Sequence, residues 1–373
     1  MASSSAAEAM PADFMADSSG RLSSHRFDRE KCTLEVLDQL LMPDQFVYVP
    51  VRNTEDAFDV IKKMQVRGAP LIATVAMFGL FLETEQMREL SDHDLMTTIE
   101  KKFAFLLSSR PTAVNLRNAC DAALVAVRGA EPDQRINKLR SFILSTYDGE
   151  LEENRRLLWH GLRELTSLAE RKPAGEGLAI MTICNTGSLA TSSWGTALGI
   201  ISTLFKAGRL RHSIAQETRP YLQGSRPPLN SPVRSNIPFT LIADGMAASA
   251  MSHFKVDAVI VGADQVTRNG DTANKIGTCG LAVLAAHYGI PFYVALPVAT
   301  YNPSVPDGSH IVIEERPPDE LRIFNGKSIC PAGTPIWNPA FDVTPGALVH
   351  SFITERGSFR PDQLGHLAEQ SSV

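Results

Sequence analysis

Apolar positions along the chain change their period part-way. From about Leu34 to Leu165 they recur three and four residues apart, the spacing of a helix face. Ala57, Val60, Ile61 and Met64 mark one such helix over Thr54–Met64. A long apolar helix follows Pro70, a residue suited to a first helical turn because its missing N–H costs nothing there. Further helices are expected around Asp92–Ser109, Thr112–Arg128 and Gln134–Leu168, with a short strand at Phe46–Val49. The Pro- and Gly-containing stretch Arg171–Gly175 reads as a linker.

Beyond it, short apolar runs alternate with helical ones. Strands are expected at Leu178–Ile183, Ser213–Gln216, Phe239–Ala243, Ala258–Val261, Phe292–Leu296 and His310–Ile313. Helices are expected after Thr186-Gly187 and over Met246–His253 and Thr272–Tyr288, with a last helix or turn capped by Thr344-Pro345. Apolar strands alternating with helices specify a parallel, helix-covered sheet. The expected fold class is α/β: a Rossmann-like C-terminal domain over 171–373 and a smaller, mostly helical N-terminal domain with a small sheet over 26–170. The Ser- and Ala-rich residues 1–25 read as a disordered tail. They carry Glu8, Asp13 and Asp17 before the first basic residue, Arg21, which does not suit a mitochondrial presequence.

The chain has 373 residues, 44% hydrophobic and 21% charged, a globular balance with room for two cores. A formal net charge of −5 argues against a nucleic-acid partner but not against one small phosphate. The longest apolar stretch, Ala69–Leu82, falls short of the roughly 20 residues a membrane span needs. The five cysteines, Cys32, Cys120, Cys184, Cys279 and Cys330, form no C-x-x-C pair and so neither a disulfide framework nor a zinc site. That fits a reducing compartment. The expected location is the cytoplasm, with the nucleus as a second compartment.

In an open parallel sheet, ligands gather at the carboxyl ends of the strands. Cys184 stands where the first long strand ends, in C-N-T-G-S-L-A-T at 184–191. A thiol there either is activated by the following helix N-terminus or is a plain buried cysteine beside a glycine turn. Asp264 closes the strand Ala258–Val261. It is either a general acid held neutral by apolar surroundings or a turn-capping carboxylate. Asn274 and Lys275 suit sugar hydroxyls and a phosphate, or else lie on an ordinary Asp-capped helix. Arg67-Gly68-Ala69-Pro70 reads as an anion site at a helix N-terminus. Arg110 precedes another helix, and Glu217–Gly224, with Gln223, supplies a further polar strand end.

Taken together and in this order, these motifs resemble the methylthioribose-1-phosphate isomerase family. Its superfamily includes the regulatory subunits of a translation-initiation exchange factor. The resemblance runs from about Leu34 to Arg356. It is carried by V-R-G-A-P at 66–70, R-P-T at 110–112, C-N-T-G-S-L-A-T at 184–191 and E-T-R-P-Y-L-Q-G-S-R at 217–226. It continues in G-A-D at 262–264, N-G-D-T-A-N-K-I-G-T at 269–278, I-E-E-R-P at 313–317 and N-P-A-F-D-V-T-P at 338–345. The chain departs from the family at Ile183, at Asn154–Gly161, at Pro227–Pro232 and at Asp244-Gly245-Met246.

The resemblance implies Cys184 and Asp264 as catalytic residues, with Asp264 the proton donor. It implies Arg67, Gly68, Ala69, Arg110, Gln223, Asn274 and Lys275 as substrate-binding residues. It further implies a homodimer with no cofactor and no metal, acting on a small sugar phosphate: 5-methylthioribose 1-phosphate to 5-methylthioribulose 1-phosphate, in methionine salvage. Because C1 carries a phosphate ester, the ring cannot open to a free aldehyde. Asp264 would protonate the ring oxygen, and hydrogen would move from C2 to C1 either as a proton handled by Cys184 or as a hydride. Two other readings share the fold: a ribose-1,5-bisphosphate isomerase and a non-catalytic regulatory subunit. The absence of G-x-G-x-x-G after the first long strand argues against a nicotinamide dehydrogenase.

Overall fold

The computed structural model describes residues 10–11, 13–15, 22–42, 44–110, 114–183, 187, 189, 191–225 and 236–369. The chain begins with a three-stranded antiparallel sheet of β1 (His25–Asp28), β2 (Thr33–Leu37) and β3 (Tyr48–Val51). β3 is an edge strand, where Pro50 removes no ladder hydrogen bond of consequence. Helices α1 (Thr54–Lys62), α2 (Ala69–Glu83), α3 (Asp92–Ser109) and α4 (Val114–Arg128) follow. Apolar residues lie all round α2, so it is the buried centre of this bundle. Gly79 lets it close on α1: a Cβ there would stand 2.5 Å from Ala57 Cβ.

Helix α5 (Arg135–Ala169) runs for 35 residues and serves two cores. Ile136, Leu139 and Ile143 join the N-terminal bundle. Leu157, Leu158 and Leu165 pack instead on the large sheet. The linker expected at 171–175 therefore follows a helix whose second half already belongs with the sheet.

That sheet has seven strands in the order β16-β15-β10-β7-β4-β5-β6. They are β4 (Leu178–Thr182), β5 (Leu210–Gln216), β6 (Phe239–Ile242), β7 (Ala258–Val261), β10 (Phe292–Ala295), β15 (Ser351–Thr354) and β16 (Gly357–Phe359). Only β16 runs antiparallel to its neighbour. Alternate residues of each strand feed opposite faces. Met181, Val259, Val261 and Val294 face α7 (Ala247–His253) and α8 (Thr278–His287). Ile180, Ala258, Ile260 and Ala295 face α5 and α6 (Ala197–Lys206). Each buried Val, Leu or Ile contributes about 1.5–3 kcal/mol. A four-stranded sheet, β11-β8-β9-β14, stands over the carboxyl ends. It comprises β8 (Gln265–Thr267), β9 (Thr272–Lys275), β11 (Tyr301–Asn302) and β14 (Phe341–Thr344). A small hairpin pairs β12 (Ile323–Phe324) with β13 (Lys327–Ser328).

Four expectations are corrected. The helix expected over Thr272–Tyr288 is split: Thr272–Lys275 pairs as β9 with β14, and α8 begins only at Thr278. Its N-terminus is capped from β14, where Asp342 accepts from the backbone N–H groups of Gly277 (2.8 Å) and Cys279 (3.1 Å). The strand expected at His310–Ile313 does not form, because β15 occupies the place beside β10. The helix expected after Gly187 begins at Ala197. The tail expected over 1–25 packs in part. The Phe14 ring meets Trp159 edge-on at 5.2 Å, Met15 is buried against α6 and its neighbours, and Leu22 is buried with Leu37 and Met42. These large apolar side chains recover burial that Ser and Ala do not offer.

Candidate active site

Strands β4 and β7 lie side by side, and the chain runs outward from them in opposite directions, to β5 and β6 on one side and to β10 and β15 on the other. This is a topological switch point, where the crevice beyond the strands is open to a ligand. Asp264 leaves the end of β7 there. Cys184 follows β4 by two positions in sequence and lies outside the described residues, as do Asn185, Thr186, Pro111 and Thr112.

One cleft brings together Arg67, Gly68, Arg110, Gln223, Asp264, Asn274 and Lys275. Asp264 is fixed by its own backbone, whose N–H donates to Ala273 O at 2.9 Å as β8 turns back into β9. Burial pushes its carboxyl above the ordinary Asp range and outweighs the opposing pull of Lys275 and Arg110; Glu314 adds to the rise. Asp264 therefore gives up its proton less readily than an ordinary Asp. Lys275 Nζ stands 4.6 Å from the centre of the Phe341 ring, a cation–π contact that holds the ammonium at the cleft wall. Asn274 is buried, its amide donating to Thr278 Oγ1 at 3.0 Å.

The second wall is the start of α2. Gly68 has φ of +101°, a conformation that favours glycine, and it turns the chain into Ala69, the first helical residue. Pro70 comes second in the helix rather than first. The first-turn N–H groups have no intrahelical acceptor and point out of the helix end. Arg67 is 1% exposed, and its Nη2 donates to Gln39 O at 3.0 Å. A guanidinium beside a helix N-terminus is suited to a phosphate.

Gln223 arrives from the loop after β5. Asp244 holds that loop, its carboxylate accepting from Thr218 N (2.8 Å) and Arg219 N (2.7 Å). Pro220, Tyr221 and Gln223 then line the cleft. The departure at Asp244-Gly245-Met246 thus leaves a carboxylate that anchors the loop. The departure at Pro227–Pro232 lies outside the described residues.

Sequence reasoning did not single out the ionic chain over the cleft mouth. Arg110 Nη2 donates to Glu314 Oε2 at 3.0 Å, Arg316 Nη1 to Glu314 Oε1 at 2.7 Å, and Arg316 Nη2 to Glu320 Oε1 at 2.5 Å. The available signal was the pair of carboxylates beside an arginine within I-E-E-R-P at 313–317. Nor did sequence show how the segment after β4 is held. Gln39 Nε2 donates to Leu189 O at 2.7 Å and Ser24 Oγ to Thr191 O at 2.9 Å. Asn154, on α5, gives its amide N–H to Gly195 O at 3.0 Å and accepts from Trp194 N at 3.3 Å.

The sequence model of the initiation factor 2 subunit family matches residues 65–361. A methylthioribose-1-phosphate isomerase of Caenorhabditis briggsae is 47% identical over 357 residues, covering 95% of each chain. Among solved structures, the 5-methylthioribose 1-phosphate isomerase of Pyrococcus horikoshii OT3 superposes with a TM-score of 0.83 at 35% identity, covering 94% of this chain and 97% of that one. A chain described as translation initiation factor eIF-2B, subunit delta, from A. fulgidus gives 0.79 at 35% identity, covering 94% and 100%. The chain belongs to the initiation factor 2 subunit family, on the branch of the methylthioribose-1-phosphate isomerases.

Proposed function

We infer that the chain is an aldose–ketose isomerase that converts 5-methylthioribose 1-phosphate into 5-methylthioribulose 1-phosphate in methionine salvage. The observation that carries this reading is a partly buried carboxyl, Asp264, whose pKa is pushed above the ordinary Asp range and which shares a cleft with Arg67, Lys275 and the open N-terminus of α2. A neutral acid and an anion site are the two elements the reaction requires.

The phosphate on C1 binds at Arg67, Lys275 and the first-turn N–H groups of α2, which fixes the ribose ring over the ends of β4 and β7. Asn274 and Gln223 hold ring hydroxyls. Asp264 gives its proton to the ring oxygen as the bond from that oxygen to C1 breaks, freeing the C4 hydroxyl. Hydrogen then leaves C2 for C1, and the C2 hydroxyl loses its proton as the ketone forms. Cys184, as the thiolate, takes the proton released at this stage. On the enol route it takes it from C2 and returns it to C1 while the Asp264 carboxylate accepts that of the C2 hydroxyl. On the hydride route it takes it from the C2 hydroxyl and passes it back to Asp264. Reprotonation of Asp264 closes the cycle, so atoms and charge balance without an external redox partner.

A non-catalytic role is the second reading, favoured by the 35% identity to the chain described as an initiation-factor subunit. One preparation assayed by NMR in deuterated water, with methylthioribose 1-phosphate and with ribose 1,5-bisphosphate, tests both. Ketose formed from the methylthio substrate alone is the expected result. Turnover of neither would overturn the enzymatic reading, and preference for the bisphosphate would reassign the substrate. Deuterium at C1 of the product would select the proton route.

We further propose that the chain works as a homodimer in the cytoplasm, with a nuclear pool. Exposed Ile323, Phe324, Ile329 and Trp337 lie on one excursion of the chain and are suited to burial against a second copy. Cys32, Cys120, Cys279 and Cys330 are free thiols, as a reducing compartment allows. Light scattering and fractionation test the two points.

A further inference from the structure

Half-way along α5, where the helix passes from the N-terminal core to the large sheet, stands Glu150. Its Oε2 lies 3.1 Å from Thr74 Oγ1 and 3.0 Å from Ser192 Oγ. Those two hydroxyl oxygens are 2.8 Å from each other. Thr74 belongs to the second turn of α2, the helix whose first turn is the anion site. Ser192 belongs to the segment after β4, whose Gly187, Thr191 and Thr196 line the cleft. Three elements that build the active site thus meet in one triangle of oxygens.

Protons can be counted in that triangle. Thr74 Oγ1 has a fourth oxygen near it, Pro70 O at 3.2 Å. There are four close oxygen pairs. With Glu150 ionised only two protons are available, those of Thr74 and Ser192, and two pairs of lone-pair-bearing oxygens are left face to face. With Glu150 protonated there are three. Glu150 donates to Ser192, Ser192 to Thr74, and Thr74 to Pro70 O or back to Glu150.

We propose that Glu150 is a positioning residue for the isomerase reaction: as a neutral carboxylic acid it closes a hydrogen-bonded ring with Thr74 and Ser192 that locks the segment after β4 to α2. The inference rests on the isomerase reading and deepens it. The two elements that the ring joins are the segment that lines the cleft through Gly187, Thr191 and Thr196 and the helix whose first turn is the phosphate site, so their separation sets the width of the cleft. A misplacement of about 1 Å in such an arrangement costs roughly a hundredfold in rate.

The electrostatic setting agrees. Burial pushes the Glu150 carboxyl up to about 7, against the pull of the Ser192 and Thr74 hydroxyls, and Glu153 on the next turn of α5 adds to the rise. On the preceding turn is Tyr147, whose OH meets His25 Nε2 at 3.2 Å. Among the described residues, α2 and the segment after β4 offer Glu150 only hydroxyls. Glu153 thus acts on Glu150 as a second carboxylate, and among the described residues no ion pair joins Glu150 to a cation.

The test compares Glu150→Gln, which keeps a neutral donor–acceptor end, with Glu150→Leu, which keeps the volume alone. Both are purified as full-length protein and checked for fold by circular dichroism and melting. At pH 7 the Gln variant should hold kcat within about threefold of wild type, while the Leu variant should lose about tenfold or more with a smaller change in KM. Between pH 6 and pH 9 the ratio of the Gln to the wild-type kcat should climb about fivefold or more, because only the wild type loses the ring proton. A flat ratio, or a Leu variant that matches wild type, would overturn the proposal. A second readout is independent of turnover: at pH 6 the infrared difference between wild type and Glu150→Gln should hold the carbonyl band of one protonated carboxyl, the Asp264 contribution being common to both and cancelling. Its absence from that difference would overturn the proton assignment even if the enzyme proved active. A wild type inert towards methylthioribose 1-phosphate that still showed the band would sink the isomerase reading and leave the ring in place.

Discussion

Arg110 and Glu314, 204 positions apart in the sequence, form an ion pair at 3.0 Å across the mouth of the cleft. Arg110 ends α3 and belongs to the N-terminal bundle, whereas Glu314 comes from the chain between the second sheet's strands β11 and β14. The other oxygen of Glu314 accepts from Arg316. One carboxylate thus serves two guanidinium groups and ties the two walls of the site together. Both side chains of the pair are mostly buried, each 16% exposed, so water screens the contact only in part.

Replacing Glu314 should open the cleft. Glu314→Ala leaves Arg110 and Arg316 without their shared partner, and stability should fall by about 3 kcal/mol, read as a lower Tm. KM should rise more than kcat falls, because Arg110 loses its position rather than its charge. Burial pushes the Glu314 carboxyl up, but Arg110 and Arg316 outweigh it and hold its pKa below the ordinary value. A depressed carboxylate contributes stability that is complete above its unfolded pKa and is lost as pH falls through the folded one. Wild type should therefore lose part of its Tm in acid below the usual Glu range, and Glu314→Gln should show a flatter acid limb. Coincident limbs would show that the pair does not hold the walls.

Asp264→Asn should separate activity from stability. The amide cannot donate the proton that ring opening needs, so kcat should fall by about a thousandfold or more while the phosphate site still binds. In wild type, kcat should decline as pH rises through the raised Asp264 pKa, since the working form is the protonated one. The stability sign is the same. A carboxyl whose folded pKa lies above its unfolded pKa binds protons more tightly in the folded state, so stability is lost as pH rises between the two. Asn carries no such cost. Asp264→Asn should therefore melt at or above the wild-type temperature at pH 7 to 8, and a clearly lower Tm would mean that the carboxylate holds the fold together.

Much of this is legible in the sequence. The expected helix Asp92–Ser109 and strand Ala258–Val261 coincide with α3 and β7, because both are long or apolar enough for local periodicity to fix them. Thr272–Lys275 reads as a helix start because it follows the turn Asn269-Gly270-Asp271. Its strand exists through pairing with β14 some seventy positions on, information that a local window does not hold. The strand-like Ile311-Val312-Ile313 lost its place to Ser351–Thr354, a choice made by sheet topology rather than propensity. In the site, Asp264 and the start of α2 were readable as a strand end and a helix end. Glu314 and Glu150 were not, since each acquires its meaning from partners on distant elements.

Arg67→Lys tests the anion site. Lys keeps one charge but loses the planar fork that pairs two oxygens of a phosphate. It would also have to reach the cleft while leaving Gln39 O without its present donor. KM for the sugar phosphate and the inhibition constant for inorganic phosphate should rise together by about tenfold or more, with a smaller change in kcat. If phosphate inhibition were unaltered while KM rose, Arg67 would be holding the Gln39 segment and not the anion.

Gly224→Ala tests how the Gln223 loop is closed. The backbone of Gly224 passes so near the end of β5 that a Cβ would fall 1.8 Å from Gln216 O and 2.8 Å from Thr218 Oγ1. Neither contact can be relieved by turning a long side chain, because the first is backbone and the second is buried. The loop must therefore move as a unit, and with it Gln223 and the Asp244 bonds to Thr218 and Arg219. Overpacking of this kind costs about 1–3 kcal/mol in stability. Its more telling effect is on binding: KM should rise severalfold even under conditions where the variant is fully folded. Gly208→Ala serves as the control, since no atom lies within 4 Å of a Cβ there, although its positive φ of +65° adds some strain. A Gly224→Ala enzyme with wild-type KM would show that the loop carries Gln223 into the cleft without dependence on this close approach, and that substrate contacts lie elsewhere on its rim.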